Sequence, residues 1–295
     1  MKRTIVVCAV LGVAAAVPIP AQDGGAGAAA APPPRPVDAI VAAMRDAEQR
    51  ATSFVVELRT TGHLPGDLEL STRGVLHVLR GAQPAVHTAV EFAFGDGLGG
   101  RVESAQTADG IVLYEENPAF GELFVRFGPE VVRDLEWAGG VLERADLPGM
   151  PDRRATAPLG SAMVTDLQRR FALAPTAVRE RAGESGTWLS GPRRAAAGEH
   201  DPDLPHADRV ELFVRDRDRA LVEARWLQGD RLLQHVEVEQ LRVDAELPAG
   251  TFTVDGRGQR LRDVREHAPM WDQIEQVLKK AEAKAPEGET RPSRR

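Results

Sequence analysis

The sequence predicts an α+β fold in which one long antiparallel sheet carries helices on one face. Three observations lead there. Apolar residues recur at steps of two over most of the chain and at steps of three and four in only a few segments. Turn-forming clusters cut the period-2 stretches into short, evenly spaced runs. The helical segments are grouped rather than alternating with single strands, which disfavours a parallel sheet. With 295 residues, 42% of them hydrophobic, the chain can bury a sizeable core in one domain without metal or disulfide staples. A net charge of −7 supplies no positive field for tracking phosphates, so no nucleic-acid partner is expected.

The start of the chain reads as a secretory signal. Met1-Lys2-Arg3 is basic, residues 4–17 are apolar but short of the roughly 20 a membrane-spanning helix needs, and Pro18-Ile19-Pro20-Ala21 ends the run. Cleavage after Ala21 would remove Lys2, Arg3 and Cys8, leaving a chain of charge −9 with no cysteine. Export to the periplasm is expected, without lipidation of the chain itself, since Cys8 sits inside the apolar run. Thiol chemistry and Cys-ligated metals are excluded from the mature chain. Residues 22–36 are Ala, Gly and Pro with little else and read as a flexible linker. The folded domain is expected over residues 37–285, with a polar tail at 286–295.

Within it, Ile40, Val41, Met44 and Ala47 recur at helical spacing, with Asp38 in the first turn, and predict a helix over 38–51. Phe54, Val56 and Leu58 then alternate with Val55, Glu57 and Arg59. Strands are expected at 68–71, 74–80, 89–94, 101–107, 111–115 and 122–127, separated by Pro65-Gly66-Asp67, Gly81-Ala82-Gln83-Pro84, Gly95-Asp96-Gly97 and Asp109-Gly110. Two helices follow: one from 129, interrupted at Gly139-Gly140, and one over 159–173 with Met163, Leu167 and Phe171 four apart. Alternation returns at 177–180, 187–190, 209–214, 221–228, 231–241 and 251–254, and a last helix is expected over 269–283. Two middle and two terminal helices are few for eleven or twelve strands. A sheet of that size curls, and a loose helical lid over it encloses an apolar cavity, which suggests a hydrophobic ligand rather than a reaction.

The candidates for chemistry are weak. His200-Asp201-Pro202-Asp203-Leu204-Pro205-His206-Ala207-Asp208 gathers two histidines and three aspartates, but two prolines stiffen it and no spacing brings the ligands to one point. Glu237 and Glu239 share a strand face and read as solvated. Gly160-Ser161-Ala162 lacks the strand and second glycine of a nucleophile elbow, and the glycines at 95–100 precede no phosphate-binding helix. No catalytic set, metal site or cofactor is expected, and the chain is not expected to be an enzyme. A hydrolase would rest on the 200–208 loop alone.

The residues do resemble a family. An N-terminal helix leading into Ser53-Phe54-Val55-Val56, the strand Gly74-Val75-Leu76-His77-Val78-Leu79-Arg80, the segment Ala108-Asp109-Gly110-Ile111-Val112-Leu113-Tyr114-Glu115-Glu116-Asn117-Pro118, and Val243-Asp244-Ala245-Glu246-Leu247-Pro248-Ala249-Gly250-Thr251-Phe252-Thr253-Val254 follow one another as in the LolA-like periplasmic lipoprotein carriers. The resemblance covers about residues 37–265. It implies an unclosed β-barrel with helices covering the concave face as a lid, and a monomeric carrier that binds lipoprotein acyl chains or another lipid. It also implies delivery to the outer membrane, between an inner-membrane release complex and an outer-membrane acceptor. An envelope-stress sensor built on the same fold is the alternative. The hydrophobic cavity would then be lined by Phe54, Val56, Leu58, Leu76, Val78, Leu212, Val214 and Phe252, with Met163 and Phe171 from the lid. Arg80 matches the family's strand-end arginine that gates the lid, and its alternation with Leu76 and Val78 points it inward toward lid carbonyls. The family's Arg-Pro is Arg80-Gly81 here, the aromatic residues that normally follow are replaced by Ala82-Gln83-Pro84-Ala85, and the 200–208 loop and C-terminal helix are additions.

Overall fold

The computed structural model describes residues 36–64, 68–95, 98–117, 121–146, 158–194 and 207–294. The expected signal sequence, almost all of the linker and residues 200–206 of the His/Asp loop lie outside the described residues. Four α-helices and one sheet of thirteen strands make up the described fold. Helix α1 (Pro36–Arg50) leads into β1 (Ser53–Leu64), β2 (Leu68–Leu79), β3 (Ala85–Phe94), β4 (Leu98–Thr107), β5 (Gly110–Asn117) and β6 (Gly121–Phe127). Helices α2 (Pro129–Asp146) and α3 (Ser161–Arg170) follow, then β7 (Ala174–Pro175), β8 (Glu180–Arg181), β9 (Glu184–Pro192), β10 (Arg209–Arg215), β11 (Leu221–Gln228) and β12 (Arg231–Val243). The two-residue β13 (Arg262–Asp263) and α4 (Ala268–Lys284) complete the order.

The strands run β13-β6-β5-β4-β3-β2-β1-β12-β11-β10-β9-β7 across the sheet, with β8 paired to β9. The two ends do not meet, so the sheet is curled and unclosed. All pairings are antiparallel except β13 with β6. Two meanders of consecutive hairpins, β1–β6 and β9–β12, are joined through one long-range pairing, β1 with β12, which carries a bulge at Glu57/Leu58.

Four expectations change. Residues 68–79 form one strand instead of two, because Gly74 is part of the ladder: a Cβ there would lie 3.1 Å from Val90 Cγ2. Helix α2 runs unbroken through Gly139-Gly140, since its buried stripe of Val131, Val132, Ala138 and Val141 packs as a unit. Residues 177–180 form no strand as a unit, and pairing there is confined to Glu180–Arg181. Residues 251–254 are also not a strand: Thr251 N and Thr253 N bond back to Pro248 O and Gly250 O, with Gly250 at φ 87°, which makes a turn.

Register separates the two sheet faces. Phe54, Val78, Val86, Gln106, Ile111 and Phe127 lie opposite one another in a row, and so do Val55, His77, His87, Ala105, Val112 and Arg126 on the other face. The first face carries the helices. Helices α2 and α4 bury Val131, Val141, Ile274 and Leu278 against Val102, Leu113 and Val125. Helices α1 and α3 bury Val37, Val41, Met44, Val164 and Leu167 against Leu189, Val210, Leu212 and Trp226. The second face is crossed by residues 244–261, whose Val254 packs with Ala105, Tyr114 and Phe124. The polar C-terminal residues are docked: Asp134 on α2 accepts Arg291 Nε at 2.6 Å and Ser293 N at 3.0 Å.

Candidate functional site

Two helix pairs sit over opposite wings of the sheet, and the middle strands lie between them. On the helix-bearing face, β12, β1, β2 and β3 present Val236, Val238, Leu241, Leu58, Leu76 and Val90, all only half-buried. Val238 and Leu241 stand across from Leu58 and Val56. Gly74 lies between Leu58 and Val90 in the ladder, so the strip has a shallow floor there. Among the described residues, Leu58 and Val90 belong to none of the buried clusters. Among the described residues the strip is partly covered: Leu76, Val238 and Leu241 pack against the Phe54 cluster and Val236 against the cluster under α1 and α3.

The expected cavity residues fall into two clusters, with Met163 and Phe252 outside both. Phe54, Val56 and Val78 are buried together with Ala51, Val86 and Leu159, and Leu76 packs at the rim of that cluster while Leu58 continues its face. Leu212, Val214 and Phe171 belong to the cluster under α1 and α3. Phe54 and Leu212 are wholly inaccessible, so they are core. Met163 is 40% exposed on α3. Phe252 stands apart, in the turn that begins the crossing of the opposite face, and the structure does not bring it to the others.

Arg80 is held at the end of β2, where its N–H bonds Thr52 O at 2.8 Å. Its guanidinium donates to the carbonyl of Glu48 and lies 5.3 Å from the centre of the Phe54 ring. Burial lowers its proton affinity and Glu48 opposes that shift. Among the described residues, the carbonyl it meets is that of Glu48 on α1, which precedes the helices after residue 129. The connection to those helices runs through Glu48 itself, which is 4% exposed. Its carboxylate accepts Leu159 N at 3.1 Å, Ser161 N at 3.2 Å and the Ser161 hydroxyl, and so caps the N-terminus of α3 from a different helix. Burial raises the Glu48 pKa, with the three bonds opposing. Gly160 precedes the helix at φ 87°, and a Cβ there would lie 2.7 Å from Leu221 Cβ, so the approach demands glycine. Glu48, Arg80 and Phe54 thus form one stack from α3 through α1 to the sheet.

Residues 37, 41, 44 and 48 form the buried stripe of α1, and an acid at the fourth of these positions is the sequence signal for Glu48. Glu115 is the second residue the sequence reasoning missed. It follows Ile111 and Leu113 on the helix-bearing face, opposite Val102, and burial alone raises its carboxyl above the usual value.

The opposite face is polar. Grooves of about 610, 450 and 440 Å³ open there, lined by Arg59, Arg73, Glu91, Arg101, Glu116, Glu237 and Glu239 among others. Glu223 is 2% exposed and bonds Arg181, Arg225 and His235, and Arg181 also bonds Glu237. Burial would raise the Glu223 pKa, but Arg181 and Arg225 hold it below the usual carboxylate value. Among the described residues no group of three or more His, Cys, Asp or Glu converges on a point, and no helix is long and apolar enough to cross a membrane.

No family model matches the sequence, and no curated protein matches it. Solved structures with some likeness include an uncharacterized conserved protein from Thermus thermophilus, at 11% identity over 76% of this chain and 97% of its own, with a TM-score of 0.40. The lipoprotein LppX of Mycobacterium tuberculosis gives 16% identity over 71% and 97%, with a TM-score of 0.36. A domain assigned to outer membrane lipoprotein sorting from Vibrio parahaemolyticus gives 9% over 74% and 97%, with a TM-score of 0.30. The similarity is weak in each case, and no ligand carries over from it.

Proposed function

We propose that this protein is an exported, monomeric carrier that holds lipoprotein acyl chains, or another lipid, against the half-buried strip of β12, β1, β2 and β3, and delivers them toward the outer membrane. One observation carries this reading: among the described residues, an apolar strip left half-buried between two helix pairs that cover the wings of the same face. Each methylene laid against Leu58, Leu76, Val90 or Val238 contributes about 0.8 kcal/mol, so an acyl chain gains enough to be held and little enough to be released. Movement of α3 would widen the strip, and the Glu48 cap with Arg80 behind it supports a role as the latch. The carrier works in the periplasm between a membrane complex that releases the cargo and an acceptor that receives it, and it needs no cofactor.

Delipidated protein titrated with a fluorescent fatty acid or lipopeptide tests the reading. Saturable uptake that is lost in Leu76→Asp and Val238→Asp is expected. Failure of the folded wild-type protein to take up either probe overturns it.

A further inference from the structure

His77 on β2 and His87 on β3 are direct cross-strand partners on the face opposite the helices. Their Nδ1 atoms are 3.2 Å apart, with ring centres at 5.4 Å and planes inclined by 36°. Behind them, His87 Nε2 meets Glu103 Oε1 at 3.0 Å, and Arg101 donates to Glu103 Oε2 at 2.6 Å. His87 and Glu103 are 7% and 8% exposed, while His77 is half-buried.

The carboxylate of Glu103 sets the favoured tautomer of His87. Burial would raise the Glu103 pKa, but the bonds from His87 and Arg101 bring it below the usual value, so the carboxylate is ionised and His87 carries its proton on Nε2. The tautomer with its proton on Nε2 turns a bare Nδ1 lone pair toward His77. Two imidazole nitrogens at that separation can share one proton or one cation. At zinc–nitrogen bond lengths of about 2.0–2.1 Å, a 3.2 Å separation subtends an angle of about 100°, close to tetrahedral. A carboxylate on the outer nitrogen of a ligating histidine is the usual orienting partner.

We propose that His77 and His87 form an open two-histidine site for a late first-row divalent cation, such as zinc, bound through both Nδ1 atoms with water in the remaining positions. Imidazole suits this class of ion, and the scarcity of further donors among the described residues leaves the site exchangeable. On binding, neutral His77 gives up the proton on Nδ1 and takes one at Nε2, so no net proton is released. Burial is the main effect that lowers the proton affinity of His77, and Glu57 opposes it. The site lies across the sheet from the lipid strip and does not depend on it.

The test is calorimetric titration of the EDTA-treated full chain with Zn²⁺, together with ¹⁵N spectra of its histidines. One ion per chain is expected, with both Nδ1 resonances shifted. His77→Ala and His87→Ala should each abolish saturation, and Glu103→Gln should weaken binding by about 10- to 100-fold. The double variant His200→Ala/His206→Ala should bind as wild type does, and loss of binding there would overturn the proposal. Wild-type protein that shows no saturable uptake, or whose His77 and His87 Nδ1 resonances do not move with Zn²⁺, also overturns it, whether or not the variants fold.

Discussion

Replacing Glu48 by alanine isolates the contact between the end of α1 and the start of α3. The substitution leaves the buried N–H groups of Leu159 and Ser161 without their acceptor, at 3.1 and 3.2 Å in the wild type, and frees the Ser161 hydroxyl. An orphaned buried donor costs about 1–3 kcal/mol, and water entering the gap recovers part of it, so a total of about 2–4 kcal/mol is expected. A ten-residue helix has little stability of its own, so the loss should appear first as local opening of α3. At about 1.4 kcal/mol per factor of ten, amide exchange in α3 should speed up by about 30- to 700-fold. Hydrogen-exchange mass spectrometry on peptides over 159–171, with β10 as internal reference, measures this. Glu48→Gln keeps an oxygen for both N–H groups and an amide for Ser161, so it should stay close to wild type. Glu48 is no latch if α3 in the alanine variant exchanges within three-fold of wild type while β10 is unchanged.

Other expectations concern charges placed without choice in the core. Glu115 has a folded pKa above its unfolded one, so between the two values the native state binds more protons than the unfolded state, and wild-type stability falls as pH rises through that window. Glu115→Gln should remove that fall, seen as a higher urea midpoint than wild type at pH 8 and a smaller difference at pH 4. Glu223→Ala leaves Arg181, Arg225 and His235 around a buried gap, and urea denaturation should show a loss of about 3–5 kcal/mol. In Asp134→Ala the docked residues Arg291 and Ser293 lose their acceptor, and limited proteolysis should then trim the C-terminus, which stays intact in the wild type under the same conditions.

Much of the sheet was legible because period-2 alternation and turn chemistry are local signals. Glycine-rich breaks misled where packing overrides propensity: Gly74 sits in a continuous strand facing Val90, and Gly139-Gly140 lies inside α2. Thr251-Phe252-Thr253-Val254 alternates like a strand, but Pro248 and Gly250 close turn bonds onto it first. Alternation placed Phe54, Val56, Leu58, Leu76 and Val78 on one face, and could not say what covers each. The structure divides them into a buried part at Phe54, Val56 and Val78 and a half-buried part at Leu58 and Leu76. Arg80 was legible as inward-pointing. Its partner was not, because Glu48 reaches it only through tertiary packing.

The β1–β12 seam also bears on how the chain acquires its shape. Every other pairing in the two meanders joins neighbours in sequence, so each can form as soon as its hairpin is complete. Strand β1 can pair with β2 early, but its other edge, twelve residues long, has no partner until residues 231–243 arrive. During that interval the N-terminal meander presents an unpaired edge with Phe54 and Val56 at one end, the kind of template on which chains add to one another. The β1 edge itself is regular: the register shift opposite Glu57 and Leu58 is taken up by Glu239, the extra residue of β12. The irregularity of the seam thus arrives with β12, and the edge of β1 stays regular for the whole interval in which it waits for the end of the sheet.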